Sequence, residues 1–326
     1  MNPPCSLPVL IAALILALTY PACGETPGQQ FPKQVLDARQ LDELGRSAEA
    51  LAILEPLMHE AATAWSEDVR GIALNVLGSI YRDLDRYSQA RHCYEESIHI
   101  LSQLPDEQRE TASAINNLGG VEELSGQLGA AKALRLRALH LYEKTGNRAG
   151  IALASSNLTN IALKQNDLSA ARKWMNKALD QLPRAVDVDE GNLAAIFTVK
   201  GALARSEGNF AEAIKAYQHA IELMTEACGP DCPKLGSVYT LRAETYGLSG
   251  NYQQAQADFQ KALVLLKAGG LRSRRYLLTE LAYASMLQAA GSQLEAARLK
   301  TEAQAALENL RRVQCNGCTI TAESFR

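Results

Sequence analysis

Helix-like segments with apolar positions on one face fill most of the chain, and single turn residues interrupt them at regular intervals. Successive turn residues are separated by 40 to 42 positions, and five of the seven are glycine. They are Gly45, Asp85, Gly126, Asn166, Gly208, Gly250 and Gly291. Glycine, aspartate and asparagine enter the left-handed backbone region at low cost. Each turn is therefore predicted to end one helix with a positive φ and to lead into a second helix.

Small side chains recur at fixed distances from these turns. Alanine stands five positions after every turn residue, at Ala50, Ala90, Ala131, Ala171, Ala213, Ala255 and Ala296. A small residue also stands seven positions before each turn, at Ala38, Gly78, Gly119, Thr159, Gly201, Ala243 and Ala284. Nine positions after the turn the residue is large and apolar in five repeats, but Arg135 and Lys300 break that pattern. The pattern predicts closely packed helical hairpins that stack on each other, because one hairpin alone cannot bury its apolar face.

The offsets resemble those of tetratricopeptide repeats, which carry Leu-Gly, Tyr, Gly-x-Tyr, Ala, Phe or Tyr and Ala at these positions. The period of about forty-one residues, with Ile-Asn-Asn-Leu-Gly at 115–119 and Gly-Pro-Asp-Cys-Pro at 229–233, is similar to the longer repeats of kinesin light chains. The resemblance covers about residues 33–313. It implies an all-α, right-handed solenoid of about seven hairpins that binds a protein or a peptide.

The N-terminus is expected to be a separate segment. Residues 7–18 are apolar, and a run of about a dozen such residues suits a signal peptide better than a membrane span. Cleavage would precede Glu25, with small residues at Ala22 and Gly24, although the first six residues contain no Lys or Arg. Alternatives are lipid attachment at Cys23, an uncleaved anchor, or an apolar stretch without a targeting role. We expect a signal at 1–24, a linker at 25–32, the solenoid at 33–313 and a tail at 314–326, with export to the periplasm, cell envelope or exterior.

The composition and the motifs argue against some classes of partner and activity. The formal net charge is −3, with acidic and basic residues interspersed, so the chain lacks the basic footprint of a nucleic-acid-binding protein. The sequence contains no zinc-protease motif, phosphate-binding glycine loop or nucleophile elbow. We therefore expect neither catalysis nor a metal or cofactor. His92 and His99, seven positions apart on one helix, are interpreted as ordinary side chains rather than metal ligands.

Two cysteine pairs fit an exported protein. Cys228 and Cys232 enclose Gly-Pro-Asp in a linker between repeats, and Cys315 and Cys318 enclose Asn-Gly near the C-terminus. Disulfides within each pair are favoured over free thiols in an oxidising compartment. One zinc site shared by the two pairs is disfavoured, because a repeat and a half of stiff solenoid separates them.

The concave face of the stack is the candidate binding surface. First helices line that face in a curved solenoid. Its predicted groove residues are Asn75, Arg82, Asn116, Asn117, Asn157, Asn160 and Arg205. An asparagine amide offers a donor and an acceptor, the complement of a peptide group. The row therefore suits a protein or an extended peptide ligand held by its backbone, although the asparagines could instead bond to neighbouring helices. A peptide-responsive sensor is the alternative function.

Overall fold

The chain folds into paired helices. A computed structural model describes residues 32–184, 188–268 and 273–316, and in these residues it contains fourteen α-helices. They are α1 (Lys33–Glu43), α2 (Ser47–Ala64), α3 (Glu67–Asp83), α4 (Tyr87–Leu101), α5 (Gln108–Leu124), α6 (Leu128–Lys144), α7 (Arg148–Lys164), α8 (Leu168–Gln181), α9 (Glu190–Ser206), α10 (Phe210–Cys228), α11 (Leu235–Leu248), α12 (Tyr252–Ala268), α13 (Arg274–Ala289) and α14 (Gln293–Asn316). Consecutive pairs form seven hairpins, which we call units 1 to 7, and the predicted all-α solenoid is confirmed.

Each unit contains one of the predicted turns. All seven turn residues have positive φ, and Asp85 (60°) and Asn166 (57°) are the only residues other than glycine to do so in the described part of the chain. Each turn closes with the same two backbone bonds, as in unit 6, where Asn251 N–H donates to Tyr246 O (2.9 Å) and Gly250 N–H to Gly247 O (3.1 Å). These bonds satisfy carbonyls at the end of the first helix, so the turn residue determines where each hairpin bends.

The small residues mark the places where helices approach closely. The alanines five positions after the turns are buried, each with at most 4% of its surface exposed. Gly201 faces Tyr217, which is fully buried, and a Cβ added at Gly201 would lie 2.7 Å from the tyrosine Cε1. Gly78 faces Tyr94 at the same distance. A missing side chain on the first helix thus makes room for a ring from the second helix of the same unit.

First helices form the inner layer of the stack. Those of neighbouring units pack on each other from α1 through α13, whereas each second helix packs on the first helix of its own unit and on the first helix of the next. The residues predicted for the groove lie on four of these first helices, α3, α5, α7 and α9. None of the described helices combines the length and the apolar character needed to cross a membrane.

Some predictions concern residues outside the described ranges. The signal at 1–24, lipid attachment at Cys23 and nearly all of the linker at 25–32 lie outside them, as do Cys318 and most of the tail. Cys315 lies in the last turn of α14, which continues to Asn316.

Candidate peptide-binding groove

A ladder of asparagines connects α3, α5 and α7 on the inner layer. Asn117 Nδ2 donates to Asn75 Oδ1 at 3.0 Å, so the amides of units 2 and 3 are directly bonded. Asn75 Nδ2 in turn donates to Ser113 Oγ at 3.4 Å. Asn157 Nδ2 donates to Asn116 Oδ1 at 3.3 Å and extends the ladder into unit 4. The predicted asparagines therefore do come together, and they bond to neighbouring first helices.

Asn116 differs from its neighbours in the ladder. It is only 3% exposed, whereas Asn117 and Asn157 are half-buried. Its Oδ1 accepts one bond from Asn157 and a second, of 2.7 Å, from Arg135 Nη1. A carbonyl oxygen has two lone pairs, so both are occupied. Asn116 belongs to the layer that supports the groove rather than to its surface.

The contacts of Arg135 explain why this position does not hold a large apolar residue in unit 3. It lies on α6 at the position that a large apolar residue occupies in five other units, and it is 6% exposed. It packs against Gly119, where an added Cβ would be 3.1 Å from Arg135 Nε. The guanidinium extends between α5 and α6 to Asn116 and lies 3.6 Å from Glu123. Burial lowers the pKa of Arg135 to about 10.

Glu123 joins units 3 and 4 at the turn end of the groove. Its carboxylate accepts a 2.5 Å bond from Asn160 Nδ2 and lies 2.7 Å from Lys164 Nζ. Its side chain is 8% exposed, so these contacts hold the charge within the protein. Asn160 is thereby fixed at the groove edge by one of its two N–H groups. Lys164 was not among the residues predicted for the site, and its position two residues before the turn residue Asn166 was the only sequence signal.

The two predicted arginines are both paired. Arg82 Nε donates to Asp83 Oδ1 at 3.1 Å, and Arg205 bonds to Glu244 of the next first helix. Burial by itself raises the pKa of Asp83, but Arg82, Arg275 and Lys234 together hold that pKa below its usual value. Arg205 therefore connects α9 to α11, whereas Arg82 pairs within α3, and the amides supply the uncharged part of the predicted groove.

Three of the asparagines predicted for the groove keep unused hydrogen-bonding capacity. Asn117, Asn157 and Asn160 are half-buried, and each uses one N–H in the bonds above. An asparagine amide carries two N–H groups and a carbonyl oxygen with two lone pairs. Among the described residues, each of the three therefore retains one N–H donor and its carbonyl acceptor, the two groups that can hydrogen-bond to the C=O and N–H of a peptide.

Among the described residues, cysteines occur on second helices and on the linker before α11, not on the first helices that carry the predicted groove residues. Cys228 and Cys232 are joined by a disulfide, and Cys93 is a buried free thiol whose pKa burial raises to about 12. No cluster of three or more His, Cys, Asp or Glu residues suited to a metal ion occurs in the described ranges.

Comparison with solved structures identifies related folds. The chain aligns with the apo form of RapI at a TM-score of 0.62 and 11% identity, over 85% of this chain and 98% of that one. A Rap protein complexed with competence and sporulation factor aligns at 0.56 and 11% identity, over 87% and 98%. The APC/C hetero-tetramer Cut9–Hcn1 aligns at 0.57 and 14% identity, over 84% of this chain and 49% of that one. At these identities the likeness concerns the fold.

Sequence comparison supplies the family. No curated protein matches the chain significantly. The model of the tetratricopeptide repeat matches residues 68–144, 110–184 and 192–268, which together make up more than half of the chain. The similarity to kinesin light chain repeats stays a prediction. The matched segments cover hairpins of units 2 to 6, including the whole asparagine ladder. The chain belongs to the tetratricopeptide repeat family.

Proposed function

We propose that this chain is a non-catalytic scaffold that holds an extended segment of a partner protein or a peptide along its concave groove. The observation that carries the proposal is the state of Asn117, Asn157 and Asn160. Each is fixed by one bond to a neighbouring helix and keeps a donor and an acceptor for a ligand. Side chains that are already ordered lose little entropy on binding, which favours affinity.

The ligand is expected to be recognised mainly through its backbone. Amide groups pair with peptide groups whatever the side chains of the ligand are. The charged residues predicted for the groove, Arg82 and Arg205, are already neutralised by Asp83 and Glu244. The Rap protein complexed with competence and sporulation factor has the same fold, so this architecture is compatible with holding a partner.

We further propose that the chain works after export from the cytoplasm. The apolar run at 7–18 supports this, and so does the Cys228–Cys232 disulfide, since disulfides persist in oxidising compartments. The intact mass of the natively expressed protein tests it. A mature chain that begins at Cys23 or Glu25 supports export, and a diacylglyceryl group on Cys23 selects the lipid-anchored form. A full-length product that retains Met1 or Asn2 contradicts it.

A peptide library tests the binding proposal. The full chain is screened against unstructured peptides of ten to fifteen residues, and the affinity of the best binder is measured by fluorescence anisotropy. Each lost hydrogen bond is worth about 0.5–1.5 kcal/mol, so changing Asn117, Asn157 and Asn160 together to Ala should weaken binding by about one to three orders of magnitude.

The matched control is Asn176→Ala, which makes the same chemical change at an exposed position of α8. This variant should bind as the unmodified chain does. Full affinity in the triple variant, or an equal loss in Asn176→Ala, would place the binding surface elsewhere.

A further inference from the structure

Residues about 190 positions apart in the chain meet along one line, which we call the seam. It joins the turn regions of units 1 and 2 to the segment before α11 and to the first residues of α13. Its contacts on the first side come from residues 44–45 and 83–85, and those on the second side from residues 232–234 and 274–275. The seam therefore brings the later units back onto the first ones and closes a turn of the superhelix.

The first part of the seam is a tight apolar contact. Pro233 packs on Gly45, where an added Cβ would lie 3.0 Å from the proline Cδ. Next to it, Cys232 Sγ lies 3.9 Å from the carbonyl oxygen of Leu44, and Cys232 is 3% exposed. Gly45 thus combines a positive φ of 75° with the absence of a side chain that this contact requires.

The second part of the seam is ionic. Asp83 Oδ2 lies 3.5 Å from Lys234 Nζ, and Asp83 Oδ1 lies 3.3 Å from Arg275 Nη2. The backbone N–H of Arg274 donates to Asp85 Oδ2 at 3.1 Å. The Lys234 and Arg275 side chains are 26% and 40% exposed, but the Asp83 side chain is only 7% exposed, so its buried charge is compensated only while these cations stay in place. The seam therefore depends on how firmly its segments are held in place.

The disulfide holds one of those segments. Cys228 is the last residue of α10, and its bond to Cys232 closes a short loop directly before Pro233 and Lys234. A cross-link of this kind removes backbone freedom from the residues it encloses. The closed loop ends directly before Pro233 and Lys234, the residues that contact units 1 and 2.

We propose that the Cys228–Cys232 disulfide is a redox-sensitive latch: a dithiol reductant that cleaves it releases the seam and opens the superhelix. Cys228 is half-buried and Cys232 is 3% exposed, so attack occurs at Cys228 Sγ. A reductant thiolate bonds to that sulfur, and Cys232 leaves as a thiolate that takes up a proton. The second reductant thiol then displaces Cys228, so two electrons and two protons pass to the chain and the reductant becomes a cyclic disulfide.

Opening of the seam changes the curvature of the stack. The first helices remain packed on each other, but the turns of units 1 and 2 lose their contacts with units 6 and 7. A sensor solenoid requires a change in curvature of this kind. The proposed opening does not depend on which ligand binds in the groove.

Carbodiimide cross-linking of the full chain tests the latch. The reagent joins an amine and a carboxylate in contact, and mass spectrometry then measures the yield of the Lys234–Asp83 product. The Lys177–Glu143 pair, 2.5 Å apart on units 4 and 3, is an internal reference away from the seam. Treatment with dithiothreitol should lower the yield of the Lys234–Asp83 product relative to the reference at least fivefold.

Two variants assign the effect to this disulfide. Cys228→Ser should give the low ratio before any reductant is added, with no further change afterwards. Cys315→Ser, which alters the other cysteine pair, should respond as the unmodified chain does. An unchanged ratio after mass spectrometry has shown free Cys228 and Cys232 thiols would overturn the proposal. So would a change in Cys228→Ser on reduction, or equal losses of both cross-links.

Discussion

Arg135 donates a 2.7 Å hydrogen bond to the side-chain oxygen of Asn116, across the boundary between the second and first helices of unit 3. In units 2 and 5 the corresponding position holds a fully buried tyrosine. Unit 3 therefore exchanges an apolar filling residue for a cation that connects α6 to the asparagine ladder. Burying the Arg135 guanidinium costs free energy, and the nearby Glu123 carboxylate offsets part of that cost.

Removing Arg135 should be severely destabilising. Arg135→Ala leaves a cavity and deprives Asn116 and Glu123 of a partner, so we expect a loss of about 3–5 kcal/mol in the free energy of unfolding. Arg135→Tyr should recover most of it, because Gly119 leaves room for a ring as Gly78 and Gly201 do. Urea denaturation measures both, with the exposed Arg137→Ala on the same helix as control. A mild effect of Arg135→Ala, similar to that of Arg137→Ala, would contradict a structural role for the cation.

Two glycine-to-alanine changes should have opposite signs. At Gly201 the new Cβ would lie 2.7 Å from the buried Tyr217 ring, so overpacking should cost about 1–3 kcal/mol despite the higher helix propensity of alanine. At Gly129 of α6 an added Cβ meets no atom within 4 Å, so Gly129→Ala should be neutral or stabilise by up to about 1 kcal/mol. Thermal melting of the two variants side by side checks the difference. Stabilisation by both would mean that the tyrosine does not occupy the space left by Gly201.

The repeat register could be predicted from the sequence because few residues satisfy its constraints. Only glycine, asparagine and aspartate tolerate the positive φ of the turns, and only small residues fit where helices approach. The hydrogen bonds of the groove could not be predicted in the same way. Asn116 and Asn117 are adjacent in sequence, yet one is buried and the other half-buried, because successive helix residues point about 100° apart and the packing partners decide which of them is covered.

The contacts of the seam could not be predicted from the sequence either, because they also depend on how the units are arranged. Arg274 and Asp85 are 189 positions apart, and their meeting depends on small rotations accumulated over five units. No local sequence pattern indicates the total rotation over five units. Arg135 was visible as a break in the repeat, but its partner Asn116 lies 19 positions away on another helix. The break in the repeat pattern therefore identified the position of Arg135, and the hydrogen bond to Asn116 explains why an arginine stands there.

Glu107 should give the protein a pH-dependent stability. Burial, together with Glu110, Asp68 and Asp106, raises the pKa of Glu107 to about 7 from an ordinary value of 4.5. A raised carboxyl pKa means that the folded state binds the proton more tightly than the unfolded state does. The contribution of this group to stability is therefore present below about pH 4.5 and is lost as the pH rises through about 7.

Glu107→Gln removes that titration. Between pH 5 and pH 8 the urea midpoint of the unmodified chain should fall relative to that of the variant. Glu95→Gln, an exposed change on α4, should follow the unmodified chain. Parallel pH profiles for the Glu107→Gln variant and the unmodified chain would show that Glu107 ionises equally in both states.

The asparagine ladder should separate into a supporting and a binding set. Asn116→Ala removes the acceptor of a bond from the charged Arg135, and such bonds are worth about 1.5–3 kcal/mol. Asn157→Ala removes one bond between neutral, half-buried amides, worth about 0.5–1.5 kcal/mol. Asn116→Ala should therefore lower the urea midpoint more than Asn157→Ala does.

Affinity for a selected peptide should follow the opposite order. Both Oδ1 lone pairs of Asn116 are occupied within the protein, whereas Asn157 keeps a donor and an acceptor for the ligand. At a temperature where both variants are folded, Asn157→Ala should bind several-fold more weakly, and Asn116→Ala, which keeps the Asn157 amide but frees it from its bond to Asn116, should lose less affinity. Stability and affinity are measured on the same preparations, so unfolding is not mistaken for lost binding. If Asn116→Ala instead lost more affinity than Asn157→Ala, the ligand would depend on the support layer, and the half-buried amides would act only between helices.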